Sequence, residues 1–194
     1  MNTPTHLLIG AAVLARKADR KGIHWRNWAI LAGALLPDAA IFILFGWARI
    51  VQGASEQELW SKIYWSAPWQ SLIAIFNSAP LYTAVVLIGI AARQTWLALI
   101  GLAALLHLAF DLPFHHDDAH AHFWPFTDWR FRSPLSYWDE NHHGDWVALA
   151  EVALSLGLIL LLWQRFEARA VKIALVLALA SYVAVPLYFN LMLG

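Results

Sequence analysis

Apolar residues run through this chain in long blocks, and polar residues gather between them. Charged side chains leave apolar windows at about Trp28 to Ile50, Ser71 to Ala92, Thr95 to Leu112, Trp146 to Trp163 and Val171 to Leu193. Each window approaches the roughly 20 residues that a helix needs to cross a bilayer core. The pattern predicts an all-α, polytopic membrane helical bundle with about five transmembrane helices in a single integral domain over 1–194. Ahead of them, Thr3-Pro4-Thr5-His6 offers an N-cap and a proline at the first helical position, opening a helix of about 12 residues up to Ala15. At roughly 1.5 Å per residue that helix is too short for a comfortable span.

The polar interruptions carry the organisation. Asp38, after Pro37, interrupts the first window, and Asn77-Ser78-Ala79-Pro80 breaks the second, where a packing role is expected. Ser55-Glu56-Gln57-Glu58 is a capping-box pattern leading into LWSKIYW, a short amphipathic helix that serves either as an ordinary connection or as a lid. Ala91 to Thr95 reads as a tight hairpin. The one long connection runs from Pro113 to Gly144, and loops of that length are functional or disordered. Its aromatics, among them Phe114, Phe123, Trp124, Phe126, Trp129, Phe131, Tyr137 and Trp138, argue for a packed cap.

Composition agrees with lipid as the surrounding solvent: 60% of the 194 residues are hydrophobic and 13% charged, with mean hydropathy +0.55. No basic residue precedes Leu7 to Ala15, so the N-terminus is read as retained structure and not as a signal peptide. The absence of cysteine excludes disulfides and thiolate metal sites. Zero net charge without a basic patch gives no indication of nucleic-acid binding. If the loop before Trp28 is cytoplasmic, nine basic residues fall inside (Arg16, Lys17, Arg20, Lys21, Arg26, Arg93, Arg165, Arg169 and Lys172) against four outside (Arg49, Lys62, Arg130 and Arg132). That bias places the Pro113 to Gly144 segment on the outer side, and tryptophans at the span ends agree.

The chemistry concentrates at the end of one apolar window, where residues 107–122 read HLAFDLPFHHDDAHAH. His107 and Asp111 are four apart and share a helix face, where they could bind one ion or each other. A carboxylate such as Asp38 inside a span costs about 2.5–3.5 kcal/mol on insertion scales unless it is paired or faces water. With His6 near the start of the short first helix, these four residues are placed to meet in the outer half of the membrane. Imidazole and carboxylate ligands suit a divalent ion, zinc before manganese, iron or nickel. His115, His116, Asp117, Asp118, His120 and His122 could add ligands, capture metal from outside, or form only a weak surface tract.

THLLIG at the start, GALLPD at 33–38, LLHLAFD at 105–111 and WPFTDWRFRSP at 124–134 together resemble the YdjM-like membrane-bound metal-dependent hydrolases of bacterial inner membranes. The likeness covers most of residues 3–134 in the same order. It implies a multi-pass inner-membrane enzyme with His6, Asp38, His107 and Asp111 as metal ligands and Arg130-Phe131-Arg132 as a basic, aromatic element beside the site. A more distant likeness is to the all-helical zinc-dependent phospholipases C. Family members carry a second acidic residue where this chain has Ala40, and a histidine-arginine-threonine-histidine motif where it reads WSAPWQSLIAIFNSAP. Either the His115 to His122 tract supplies the missing ligands or catalysis has been lost.

The leading expectation is a metal-dependent hydrolase acting on a phosphate or other ester of a membrane lipid at the outer leaflet. Asp118 or His142 would serve as general base or acid, and Arg130 with Arg132 would hold an anionic head group or else neutralise acidic loop residues. The rivals are a non-catalytic protein that binds or passes metal, and an accessory subunit of a larger membrane complex. Against passage stands the scarcity of charged residues in the last two windows, which hold only Glu151 and, at the edge of the last, Lys172.

Overall fold

A computed structural model describes residues 1–17 and 24–193, and the side chains of all of these except 185, 186 and 188–193. Arg20 and Lys21 of the charge count lie outside the described residues. The described chain is helical: α1 (Thr3–Leu14), α2 (Trp25–Gly46), a short α3 (Glu56–Glu58), α4 (Ala67–Phe76), α5 (Ala79–Ala91), α6 (Thr95–Asp111), α7 (Gly144–Arg165) and α8 (Arg169–Leu193). A π-helical turn, Trp47–Val51, prolongs α2, and another, Leu59–Ile63, prolongs α3. Among the described residues, four segments are long and apolar enough to cross a membrane: Trp25–Val51, Ala67–Ala91, Thr95–Phe114 and Gly144–Arg165. The second consists of two helices, α4 and α5, divided at the Asn77-Ser78-Ala79-Pro80 break. Pro80 at the start of α5 and the Ser78 hydroxyl, which accepts the Leu81 N–H at 3.2 Å, restart the helix after Asn77.

Within lipid, burying leucine gains little over leaving it against acyl chains, so the helices hold together by close packing and polar contacts. The closest approach is between α2 and α6 at Gly33, where a Cβ would fall 2.2 Å from the Ile100 carbonyl oxygen. Gly101 does the same service between α6 and α5, since its Cβ would meet Val86 and the Tyr82 carbonyl. Small residues at these crossings bring the backbones carrying Pro37, Asp38 and His107 together. Large apolar side chains such as Trp28, Leu87, Leu160 and Leu177 stay exposed on the outside of the bundle, as a lipid-facing surface requires.

Helix α1 is enclosed despite its length. It packs against α2, α6 and α7, with Leu8 and Ala15 in a core cluster beside Ile30, Ala34, Ile159 and Leu162. The Arg165 guanidinium closes its C-terminal end, donating Nη1 to the Ala12 carbonyl at 2.8 Å and Nη2 to the Ala15 carbonyl. That satisfies carbonyls the helix leaves unpaired and sets a cation at the negative end of its dipole. At the other end, the irregular segment from His115 to Asp139 folds over the ends of α6 and α7. The Ser133 N–H reaches the His115 carbonyl, and the Tyr137 N–H reaches the Phe114 carbonyl, both at 3.0 Å.

Candidate metal centre

Asp111 ends α6 and lies at the middle of the site. The His6 Nε2 is 2.8 Å from its Oδ1, and the His107 Nε2 is 3.0 Å from its Oδ2. All three residues are buried, and each offers a ligand atom within 4.8 Å of the others, a spacing that could hold a metal ion. The His6 and His107 rings stack at 3.5 Å, so α1 and α6 present their imidazoles side by side. Asp38 Oδ1 stands 3.6 Å from His107 Nε2, while its Oδ2 accepts the Thr3 hydroxyl at 2.5 Å.

One hydrogen bond fixes what His107 can do. Its Nδ1 is 2.8 Å from the carbonyl oxygen of Ala34, and a carbonyl only accepts, so Nδ1 carries the proton. In the neutral ring, Nε2 then presents a lone pair, and that lone pair faces the oxygens of Asp111 and Asp38. Three electron-rich atoms meeting at a largely buried site call for positive charge among them, which the Met1 ammonium, 2.8 Å from Asp111 Oδ1, supplies in part and a second ring proton or a metal ion would complete. A histidine whose far nitrogen is tied to a backbone carbonyl is the usual arrangement of a metal ligand. Pro37 contributes locally, because it removes one N–H from the α2 ladder in the turn where the Ala34 and Pro37 carbonyls accept from His107 and from Asn77 Nδ2.

Above this layer, His115 places Nε2 3.3 Å from Asp111 Oδ1 and Nδ1 3.0 Å from Asp118 Oδ2. Neither nitrogen is aligned as a hydrogen bond. Burial disfavours charge on His115, but Asp111 and Asp118 outweigh it and hold its pKa up at about 9. His120 lies beside it, with ring centroids 4.9 Å apart, and its buried Nδ1 has no hydrogen-bond partner among the described residues. Burial, then the His115 charge, pushes His120 down to about 3. His122 is also lowered, first by burial; its Nδ1 donates to the Asn77 carbonyl at 3.1 Å, which leaves its Nε2 as the lone-pair nitrogen. Asp118 is held below the ordinary carboxylate range, because its interaction with the neighbouring His115 outweighs burial.

The remaining expected residues lie elsewhere. His116 stacks on His142 at 3.5 Å and donates Nδ1 to the Ser133 carbonyl at 2.6 Å. His142 in turn is bound to Asp139, at 2.6 Å. This is a separate pair, and among the described residues no ion pair links either histidine to Asp111. Arg130 donates Nη1 to the Ala119 carbonyl at 3.0 Å and so ties down the irregular segment, whereas Arg132 is exposed.

Several contributors carry no metal-ligand signature in the sequence. The Met1 amino group lies 2.8 Å from Asp111 Oδ1. Glu151 on α7 accepts the Asn2 N–H at 2.6 Å and the Thr5 hydroxyl, and the hydroxyls of Thr5, Ser155 and Tyr182 hydrogen-bond one another. Asn77 and Ser78, expected to serve packing, also receive the irregular segment: the Ala79 N–H reaches the His122 carbonyl and the Ser78 hydroxyl reaches the Trp124 carbonyl. Comparison with known proteins matches no family model, no curated protein and no solved structure.

Proposed function

We propose that this chain is a membrane-bound, metal-dependent hydrolase acting on an ester or phosphoester of a membrane lipid. The observation that carries the reading is the His107 Nε2 lone pair, turned by the Ala34 carbonyl toward two carboxylates in a buried pocket that also holds His6. In this reading His6, His107 and Asp111 hold one divalent ion, with Asp38 beside them. Zinc is the favoured ion, since two imidazoles and a carboxylate form a borderline-soft set that leaves a coordination position open. The ion supplies a bound water acidified toward about pKa 7 and a Lewis acid for the scissile group.

The chain's own residues divide the remaining work. His115, held beside Asp118 and facing Asp111, is placed as an imidazolium to give its proton to the departing alkoxide and to regain one from the water that has attacked. The water oxygen bonds to the ester carbon or phosphorus, the bond to the leaving oxygen breaks, and the proton ends on the released alcohol. Arg132, next to Ser133 on the His115 backbone, offers a guanidinium to an anionic head group. His142, engaged with Asp139 and His116, has no part in this scheme.

The rival reading, passage of metal across the membrane, would need the polar groups to continue along the bundle. Below Ser155 the next buried α7 residues are Ile159 and Leu162, which favours catalysis. The resemblance to YdjM-like hydrolases supports the same assignment, with the inner membrane as the location and the His-rich segment on its outer side.

The test is a turnover screen with phosphoester and acyl-ester lipids in mixed micelles. Activity should disappear on chelation, return with zinc or manganese, and be absent in His107→Ala and Asp111→Ala. Metal retained with no turnover on any lipid ester would overturn the hydrolase assignment.

A further inference from the structure

Glu151 is the one charged side chain between Asp145 and Arg165 on α7, a membrane-crossing segment, and it is only 3% exposed. Charge at such a position is kept where it is paired or serves the function. Its partners lie on α1: Oε1 accepts the Asn2 N–H at 2.6 Å and the Thr5 hydroxyl. The first turn of α1 has no acidic residue of its own, and Asn2 makes no side-chain cap. Glu151 therefore supplies, from another helix, the acceptor and the negative charge that a helix N-terminus favours.

The same turn carries two arms of the metal centre. Asn2 and Thr5 are held by Glu151, while Thr3 reaches Asp38 and His6 reaches Asp111. Thr5 has a single hydroxyl proton, spent on the carboxylate, so it accepts from Tyr182, which accepts in turn from Ser155 at 2.7 Å. This chain fixes the Thr5 side chain, and its backbone leads directly into His6. The rest of α1 is fastened separately, by Leu8 and Ala15 in a core cluster and by Arg165 on its last carbonyls. Loss of the Glu151 contacts thus frees the first turn and leaves the remainder of the helix in place. We propose that Glu151 is a positioning residue for the metal centre: by holding Asn2 and Thr5 it sets the first turn of α1 so that His6 meets Asp111 and Thr3 meets Asp38. The proposal rests on the reading of His6, His107 and Asp111 as metal ligands.

The experiment titrates Zn(II) and Co(II) into full-length protein in detergent micelles. Affinity is read by competition with a chromogenic chelator, and ligand geometry by the visible absorption of bound Co(II), neither of which depends on turnover. Glu151→Met keeps the length of the side chain and removes its acceptors. It should weaken binding about tenfold, the lower end of what supporting partners contribute, and shift the Co(II) spectrum toward that of His6→Ala. Glu151→Gln retains an oxygen that can accept from both donors, so it should stay within about threefold of wild type with the wild-type spectrum. Thr5→Val should shift the spectrum in the same direction as Glu151→Met, and carries the test if that variant does not fold. Combined with Glu151→Met it should weaken binding less than about twofold further, as members of one interaction do. Unchanged affinity and spectrum in Glu151→Met and Thr5→Val would overturn the proposal. So would a lower denaturation midpoint with the Co(II) spectrum unchanged, or a loss in Glu151→Gln equal to that in Glu151→Met, which would trace the effect to charge and not to position. Wild type that binds neither ion would overturn the metal reading and this proposal with it, a result distinct from variants that match a metal-binding wild type.

Discussion

At the residue scale, the decisive features are the partners of the charged groups. Thr3 holds Asp38 Oδ2 while Asp38 Oδ1 faces His107. Partners of this kind orient a ligand and typically contribute 10–100-fold to metal affinity. Thr3→Val should therefore weaken zinc binding by about tenfold, measured by competition with a chromogenic chelator, with the fold intact. Away from the metal centre, Asp139 takes the His142 Nδ1–H at 2.6 Å and the Asn141 N–H at 3.0 Å, and its backbone carbonyl takes the Gly144 N–H that starts α7. Its pKa is lowered, first by the bond to His142. A depressed carboxyl stabilises the fold fully above its unfolded pKa, about 3.9, and loses that contribution as pH falls through the folded value. Amide exchange at 141–147, corrected for intrinsic rate, should speed up below about pH 4 in wild type and lose this dependence in Asp139→Asn. The sequence reveals His107 and Asp111 through their four-residue spacing, and His6 and Asp38 through the cost of polar groups in apolar helices. It does not reveal Thr3 or the Ala34 carbonyl, because a threonine at a helix start reads as a cap and a carbonyl has no signature.

At the scale of the element, the structure rests on close helix crossings and on breaks. Gly33 carries the α2–α6 crossing, with the nearest would-be contact to backbone, which cannot rotate out of the way. Gly33→Ala should cost about 1–3 kcal/mol by overpacking and should loosen the metal centre, because the same crossing sets the His107 to Ala34 bond. Chemical denaturation in detergent measures the first effect and zinc affinity the second. The windows in the hydrophobic pattern locate the long helices to within a few residues, since charge at their ends limits what can enter lipid. The division of the second window is less legible: NSAP signals a break, but not that the break would take up His122 and Trp124. Such pairing depends on residues 45 or more positions apart meeting in space, as Asn77 and His122 do.

For the whole molecule, polar groups collect at one end of the bundle, under a segment with little regular structure of its own. The segment is fastened at several points to a helix end or a helix break, through His122, Trp124, Ser133 and Tyr137, which lets irregular backbone stand beside membrane-crossing helices with many of its polar groups paired. The aromatic composition of 113–144 suggests such packing, but which histidines belong to the centre could not be read from a tract of closely spaced ones. His115 turns inward to Asp111, and its neighbour His116 turns away to His142. The central claim is that His6, His107 and Asp111 hold a divalent metal, and elemental analysis of the purified protein tests it most directly. Wild type should carry about one equivalent of zinc or a related ion per chain, as three convergent buried ligands imply, and Asp111→Ala should carry less than about a tenth of that. Wild-type protein with no stoichiometric metal, after purification without chelator and resupply of zinc, would contradict the account.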